Sequence, residues 1–165
     1  MYHYPGKIPE NKISSSRVSK YNPLHPYGNK QEQYDRRYLE MAGIWAQNSY
    51  CKRAQVGALI VKEQMIISDG YNGTPAGFEN VCEDKDGITK PYVLHAEANA
   101  ITKVAKSNNS SEGATLYITT SPCMECAKLI IQSGIKRVVY SDNYRKQDGV
   151  ELLKRAGIEV FFIEM

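Results

Sequence analysis

Apolar and polar residues alternate with helical and strand periods from Gln31 onward. The first periodic segment, QEQYDRRYLEMAGIWAQNS, has its large apolar residues three or four positions apart, and this spacing predicts a long amphipathic helix. These residues are Tyr34, Tyr38, Met41, Ile44 and Trp45. The next segment, QVGALIVKEQMIISDGYNG, has two β-rich runs on either side of Lys62-Glu63-Gln64, which predicts a β-hairpin.

Helices and strands are predicted to alternate along the rest of the chain. VLHAEANAITKVAKS has a helical apolar stripe, formed by Ala96, Ala100, Ile101 and Val104. ATLYITT then predicts a strand, SPCMECAKLIIQSG a helix that ends at Gly134, and KRVVYSD another strand. Residues 147–156 predict a last helix and GIEVFFIEM a last strand. The order α-β-β-α-β-α-β-α-β indicates an α/β fold with a mixed sheet and helices on both faces.

The first 30 residues differ from the rest in having no sustained apolar period. Four of the seven prolines lie here, at positions 5, 9, 23 and 26, among polar turn residues. We therefore expect residues 1–30 to form an N-terminal arm, poorly ordered or packed on a neighbouring subunit, and residues 31–165 to form one domain. The cations of the arm are more typical of a solvated tail than of a phosphate-binding segment.

Composition and charge restrict the class of protein. The 165 residues are 42% hydrophobic and 24% charged, an ordinary globular mixture, and the net charge of +3 includes no run of like charges, which argues against a dedicated nucleic-acid partner. No apolar run approaches the roughly 20 residues of a membrane span. The N-terminus lacks the apolar core of a signal peptide, so we expect a cytoplasmic protein. In that setting, the four cysteines are expected to be reduced.

The candidate chemistry begins with Cys123 and Cys126, three positions apart at the start of a predicted helix. A closed structural zinc site would need four protein ligands, but the folded pattern contains one histidine, His95, since His3 and His25 lie in the arm. Three protein ligands leave one coordination position open, as a catalytic zinc requires. Glu97 follows His95 by two positions, so it points beside the metal and can act as general acid and base.

Other interpretations of these residues are weaker. A Cys-x-x-Cys pair can be a redox disulfide, but no thioredoxin-like pattern surrounds this one, and a lone histidine in a helix is more often structural. The joint pattern H-A-E followed by P-C-x-x-C is the signature of zinc-dependent nucleobase deaminases. The sequence therefore predicts that both cysteines are zinc ligands.

The segments HAEANAI, SPCMECAKLIIQSGIKRVVYSDNY, RAQVGALIV and GYNGTPAG together resemble the deoxycytidylate (dCMP) deaminases of bacteria, phages and animals. The resemblance extends over about residues 34–163. It implies a three-layer α-β-α cytidine deaminase-like fold with a central five-stranded mixed sheet, and commonly a homohexamer or another homo-oligomer. It also implies hydrolysis of dCMP to dUMP and ammonia, which supplies dUMP for thymidylate synthesis.

The resemblance implies a role for each matching residue. His95, Cys123 and Cys126 would bind one catalytic Zn²⁺, and Glu97 would carry a proton to ring nitrogen 3 and then to the leaving amino group. Substrate contacts are implied for Asn72 at the sugar, for Arg53, Tyr144 and Arg145 towards the phosphate, and for Ala96 and Ser121 in the same pocket.

The resemblance also implies regulation by dCTP with Mg²⁺ and by dTTP. The implied nucleotide site includes Gly70, Tyr71, Asn72 and Gly73, although Asn-Gly is also an ordinary turn. Some relatives hold a second zinc in a Cys- and His-rich insert. Here that segment is short and contains Cys82, with Cys51 as a possible neighbour, so we expect two ordinary reduced cysteines.

Two alternatives to dCMP deamination stay open. One is a deaminase of another base or nucleotide (cytidine, dCTP, guanine or adenosine in tRNA), although a tRNA-acting enzyme would be expected to show a more basic surface and a C-terminal RNA-contacting helix. The other is a non-catalytic zinc-containing binding module. Glu97 argues against the second, because a purely structural fold has no use for a carboxylate beside a three-ligand metal.

Overall fold

The computed structural model describes residues 28–165, with side chains from Lys30. The helices are α1 (Gly28–Ala46), α2 (Ala96–Ala105), α3 (Met124–Gln132) and α4 (Asp148–Arg155). The strands are β1 (Gly57–Lys62), β2 (Met65–Tyr71), β3 (Thr115–Thr120), β4 (Arg137–Asp142) and β5 (Glu159–Phe162). This order confirms the predicted one. The first helix begins at Gly28, so the arm predicted at 1–30, with His3 and His25, lies outside the described residues except for the first turn of α1.

The strands form one five-stranded sheet in the order β2-β1-β3-β4-β5. Strand β1 is antiparallel to both β2 and β3, whereas β3, β4 and β5 are parallel. The predicted hairpin is confirmed, and it turns at Glu63 and Gln64, which both adopt positive φ. Since parallel strands need crossover connections, α3 and α4 follow β3 and β4 in turn.

Helices cover both faces of the sheet, which confirms the three-layer α/β prediction. On one face, Leu39 and Ala42 of α1 pack against alternate residues of β1, β3 and β4. On the other face, a larger core joins the remaining three helices to the intervening residues of the same strands. Its members include Ala100, Val104, Ala127, Ile130, Val150 and Leu153 from the helices and Ala58, Ile60, Leu116, Ile118 and Val138 from the sheet.

This arrangement determines where a site can form. The ends of β3 and β4 lie side by side, and the Ser121 amide donates to the Asp142 carbonyl at 2.8 Å. Chain segments leaving parallel strands at this edge face the start of helices, the usual location of ligand sites in α/β proteins. In the part of the chain that the structure describes, no helix combines the length and apolar character needed to cross a bilayer.

Candidate active site

The three predicted metal ligands meet where α2 and α3 begin. His95 immediately precedes α2 and Cys123 immediately precedes α3, each with extended backbone angles and without a side-chain bond to the helix. Cys126 lies in the first turn of α3 and is buried. Because neither capping side chain is used by its own helix, the imidazole and the thiol are free to face each other across the junction.

The distances between these ligand atoms fit zinc. His95 Nδ1 lies 3.5 Å from Cys123 Sγ and 3.4 Å from Cys126 Sγ, and the three ligand atoms lie within 4.8 Å of one another. Zinc bonds of about 2.3 Å to sulfur and about 2.0 Å to nitrogen, set at the tetrahedral angle, place nitrogen and sulfur about 3.5 Å apart. The residues present therefore fit a zinc ion bound through Nδ1 and two thiolates.

The electrostatics of the cluster favour one thiolate in the protein alone. A hydrogen bond from the Cys126 thiol, together with one from His95, lowers the pKa of Cys123 to about 3. The same bond and burial raise the pKa of Cys126. A hydrogen bond to Cys123 likewise raises the pKa of His95 above its ordinary value, against the effect of burial. The shifts at Cys123 and His95 favour a thiolate–imidazolium pair, whereas Cys126 stays a neutral thiol, and a bound dication would require all three groups to be deprotonated.

Glu97 lies in the first turn of α2, beside the cluster but outside the three-ligand group. Glu97 has 3% of its surface exposed, and it lines the same cavity as His95 and Cys123. Burial raises the pKa of Glu97 to about 7, although a backbone hydrogen bond and the charge of His95 oppose the shift. A buried carboxyl in this position can exchange protons with a molecule held against the cluster.

The cavity in front of the cluster has a volume of about 410 Å³. It brings together most of the site residues predicted from the sequence: Arg53, Asn72, His95, Ala96, Glu97, Ser121, Cys123, Tyr144 and Arg145. Gly70, Tyr71 and Gly73 of the predicted regulatory segment do not line it. Glu83 and Thr89, which the sequence analysis did not single out, do.

Two of the predicted substrate residues also hold neighbouring loops in place. The side-chain amide of Asn72 accepts a hydrogen bond from Val56 N through Oδ1 and donates one to the Ala54 carbonyl through Nδ2, both at 2.8 Å. Ser121 Oγ accepts from Tyr144 N at 2.7 Å. These contacts shape the wall of the cavity whether or not the same side chains touch a ligand.

The segment from Gly70 to Gly73 leads the chain from β2 towards His95. Gly70 packs against the backbone of α2, where a Cβ would lie 2.7 Å from Ala100 N, and Gly73 pairs with Leu94 through two backbone hydrogen bonds. The Tyr71 carbonyl accepts from Asn99 Nδ2 at 3.0 Å. These contacts give the segment a structural role, and its regulatory role stays a prediction.

The expectation of reduced thiols at Cys51 and Cys82 is wrong. The two residues are joined by a disulfide, whereas Cys123 and Cys126 are free. The partners are 31 positions apart in the chain, so their spacing carried no sign of pairing. The fold brings their Cα atoms to 5.1 Å, within the range of disulfide bridges.

A three-layer mixed sheet with His, Cys and Cys at two helix starts and a buried glutamate beside them defines a zinc-dependent deaminase. Residues 32–142 match the family model described as the cytidine and deoxycytidylate deaminase zinc-binding region. The chain belongs to this family.

Relatives support the assignment over most of the chain. The deoxycytidylate deaminase of Enterobacteria phage T4 is 39% identical to this chain over 166 residues. The match covers 74% of this chain and 86% of the length of the phage protein. The human deoxycytidylate deaminase is 42% identical over 120 residues, covering 67% of this chain and 66% of its own. The crystal structure of dCMP deaminase from the cyanophage S-TIM5, in complex with dCMP and dUMP, is 46% identical, with a TM-score of 0.78. The match covers 79% of this chain and 97% of that one.

Proposed function

We propose that this protein catalyses the hydrolytic deamination of dCMP to dUMP and ammonia, and so supplies dUMP for thymidylate synthesis. The observation that carries the proposal is one cavity whose wall includes Glu97, two arginines, and His95 and Cys123 of the metal-type group that Cys126 completes. Similarity to a dCMP deaminase solved with dCMP and dUMP supports the choice of substrate.

In this proposal His95, Cys123 and Cys126 hold one zinc ion, for which their distances fit. Zinc, when bound, supplies the Lewis acidity that makes water a stronger nucleophile at neutral pH. The two thiolates and the imidazole would hold the zinc ion at the wall of the cavity, because each of the three residues is anchored at the start of a helix.

Glu97 moves the protons. Its carboxylate takes a proton from the attacking water and delivers it to ring nitrogen 3 as the new oxygen bond forms at carbon 4. A second transfer places a proton on the amino group, which leaves as ammonia, so water and dCMP become dUMP and ammonia. Burial of Glu97 suits this task, because a carboxyl shielded from bulk water exchanges its proton with the bound base.

The cavity also suits the phosphate of a nucleotide. Arg53 and Arg145 line it, and Tyr144 is adjacent. Guanidinium groups pair well with phosphate oxygens, so two of them favour a 5′-phosphate over the uncharged hydroxyl of a nucleoside. We assign the sugar contact to Asn72 and the base pocket to Ala96 and Ser121, which line the same cavity.

Assembly and regulation form a further part of the proposal. The outer side of α1 exposes Met41, Ile44 and Trp45, with 43%, 63% and 39% of their surfaces accessible. Exposed apolar residues clustered on one helix suit burial between subunits, which supports a homo-oligomer such as a hexamer. Control by dCTP with Mg²⁺ and by dTTP at Gly70–Gly73 is proposed from the family resemblance. A cytoplasmic location without a nucleic-acid partner is proposed from the sequence.

The proposal is tested by assaying the purified protein on dCMP, deoxycytidine, dCTP and CMP through the loss of cytosine absorbance. We expect dCMP to turn over fastest. Glu97→Gln should lower kcat by about 10²–10⁴-fold while retaining zinc, because it removes a proton carrier and no ligand. Glu125→Gln, an exposed change in the first turn of α3, is the matched control. Zinc-loaded protein inactive on every cytosine nucleotide would contradict the substrate and point to another base.

A further inference from the structure

Two chain segments contribute residues to the wall of the cavity that includes Arg53. One contributes Cys51 and Arg53, and the other, which runs from Cys82 to Lys90, contributes Glu83 and Thr89. The disulfide joins their first residues, and within the second segment Lys90 N donates to the Cys82 carbonyl at 2.8 Å. A bridge between Glu83 and Thr89 closes the same short hairpin. The two segments therefore form one unit beside the site.

Glu83 is the polar residue at the centre of this unit. It is 9% exposed, and its Oε1 accepts from Lys52 N at 2.9 Å and from Arg53 N at 3.2 Å. Both bonds join a carboxylate to backbone amides of the arginine-bearing segment. Charge-assisted bonds of this kind are shorter and stronger than neutral ones, so they fix the direction in which that backbone runs.

The guanidinium of Arg53 is held from the same hairpin. Arg53 Nη1 lies 3.5 Å from Thr89 Oγ1, and Thr89 is the bridge partner of Glu83. Arg53 itself is exposed, so without these contacts its side chain would sample many rotamers. Glu83 holds the backbone of Arg53, and Thr89 contacts its tip.

We infer that Glu83 is a positioning residue that orients Arg53 towards the 5′-phosphate and so determines the preference for a nucleotide over a nucleoside. The inference rests on the proposed deamination of dCMP. Since Glu83 directs its Oε1 to backbone amides, it acts on the phosphate through Arg53. Removing it should weaken phosphate binding without affecting the chemistry at the base.

The experiment compares steady-state kinetics on dCMP and deoxycytidine. Glu83→Ala should raise KM for dCMP about tenfold with kcat within about twofold, the pattern of lost ground-state binding, and should leave deoxycytidine kinetics unchanged. Glu83→Gln keeps an oxygen acceptor and should recover most of the wild-type KM. Thr89→Val should raise KM for dCMP in the same direction. Glu79→Ala, an exposed change on the same side that breaks an ion pair with Lys90, is the matched control.

The outcomes separate this inference from the proposed function. Wild-type protein inactive on dCMP overturns both. Active wild-type protein whose Glu83→Ala variant keeps its KM for dCMP overturns the inference alone. So does a variant that loses dCMP and deoxycytidine turnover equally, because that marks a general structural role. Thermal unfolding of each variant identifies such a general loss, and failure of Glu83→Gln to recover KM also contradicts the acceptor role.

Discussion

A buried ion pair joins Asp35 to Arg137 away from the site. Asp35 of α1 is fully buried, and it receives two bonds from Arg137, at 2.6 and 2.9 Å, and one from the Tyr117 hydroxyl at 2.7 Å. The pair thus ties α1 to β3 and β4. Burying two charges is costly, but the bidentate geometry compensates for much of that cost, and removing one partner takes the opposite charge away from the other.

We predict that Asp35→Asn lowers the free energy of unfolding by about 3–5 kcal/mol, because it replaces the buried carboxylate that binds Arg137 with a neutral amide. Urea denaturation measures the change. Glu151→Gln, which removes an exposed pair with Lys154, is the control and should change stability by less than about 1 kcal/mol. Equal effects at the two positions would show that the buried pair adds nothing beyond a surface pair.

The same pair should make stability depend on acid pH. Burial alone would raise the pKa of Asp35, but hydrogen bonds and charge from Arg137 outweigh it and lower the pKa below 3.8. A carboxyl with a lowered folded-state pKa stabilises the protein above its unfolded value and loses that contribution as pH falls through the folded value. Wild-type stability should therefore fall below about pH 4, and Asp35→Asn should show a shallower fall over the same range.

Among the elements, α4 packs directly against the turn that contains Cys123. Gly149, in its first turn, packs against the backbone of Pro122 and Cys123, where a Cβ would lie 2.7 Å from the Cys123 carbonyl carbon. Backbone atoms cannot move aside as a flexible side chain can. The absence of a side chain at one position of α4 thus allows the close approach of the turn at Cys123, the proposed zinc ligand that precedes α3.

Gly149→Ala is predicted to displace the turn at Cys123, to reduce bound zinc and to lower dCMP deamination at least tenfold, since a misplacement of about 1 Å can cost 10²-fold in rate. Zinc content and kcat/KM are the measurements. Gly43→Ala in α1, where a Cβ meets no described atom within 4 Å, is the control and should leave both unchanged. Full zinc occupancy and activity in Gly149→Ala would contradict the packing argument.

The order of helices and strands could be predicted because each has a clear apolar period or turn signal. His95, Glu97, Cys123 and Cys126 could be predicted as a group because their spacing matches a known chemical requirement. Glu83 could not, because a glutamate in a polar loop has no period and its partners lie 30 and 31 positions away. The sheet order and the disulfide depend on equally distant contacts.

At the scale of the whole molecule, the disulfide encloses β1 and β2. Cys51 and Cys82 are 31 positions apart, and a cross-link of that length reduces the entropy of the unfolded chain. It also joins the two segments that carry Arg53 and Glu83, both of which line the cavity. Stability and site geometry therefore depend on the same covalent bond.

We predict that reduction of this bond lowers the free energy of unfolding by about 3–4 kcal/mol, because the unfolded chain gains freedom. Calorimetry with and without a thiol reductant measures the effect as a lower Tm. The double variant Cys51→Ser, Cys82→Ser should start at the lower Tm and should not respond to reductant. A variant that responds like the wild type would assign the effect to Cys123 and Cys126 instead.

The disulfide pair and the two free cysteines are preserved by opposite redox conditions when the protein is handled. Thiol reagents that protect Cys123 and Cys126 from oxidation also open the link between Cys51 and Cys82. Air preserves the link but oxidises a free thiolate at Cys123. Bound zinc would remove the need for a reductant, because it would shield the sulfur atoms of Cys123 and Cys126 from oxidants. A preparation kept in zinc-containing buffer without reductant should therefore store best, and chelators should shorten its shelf life.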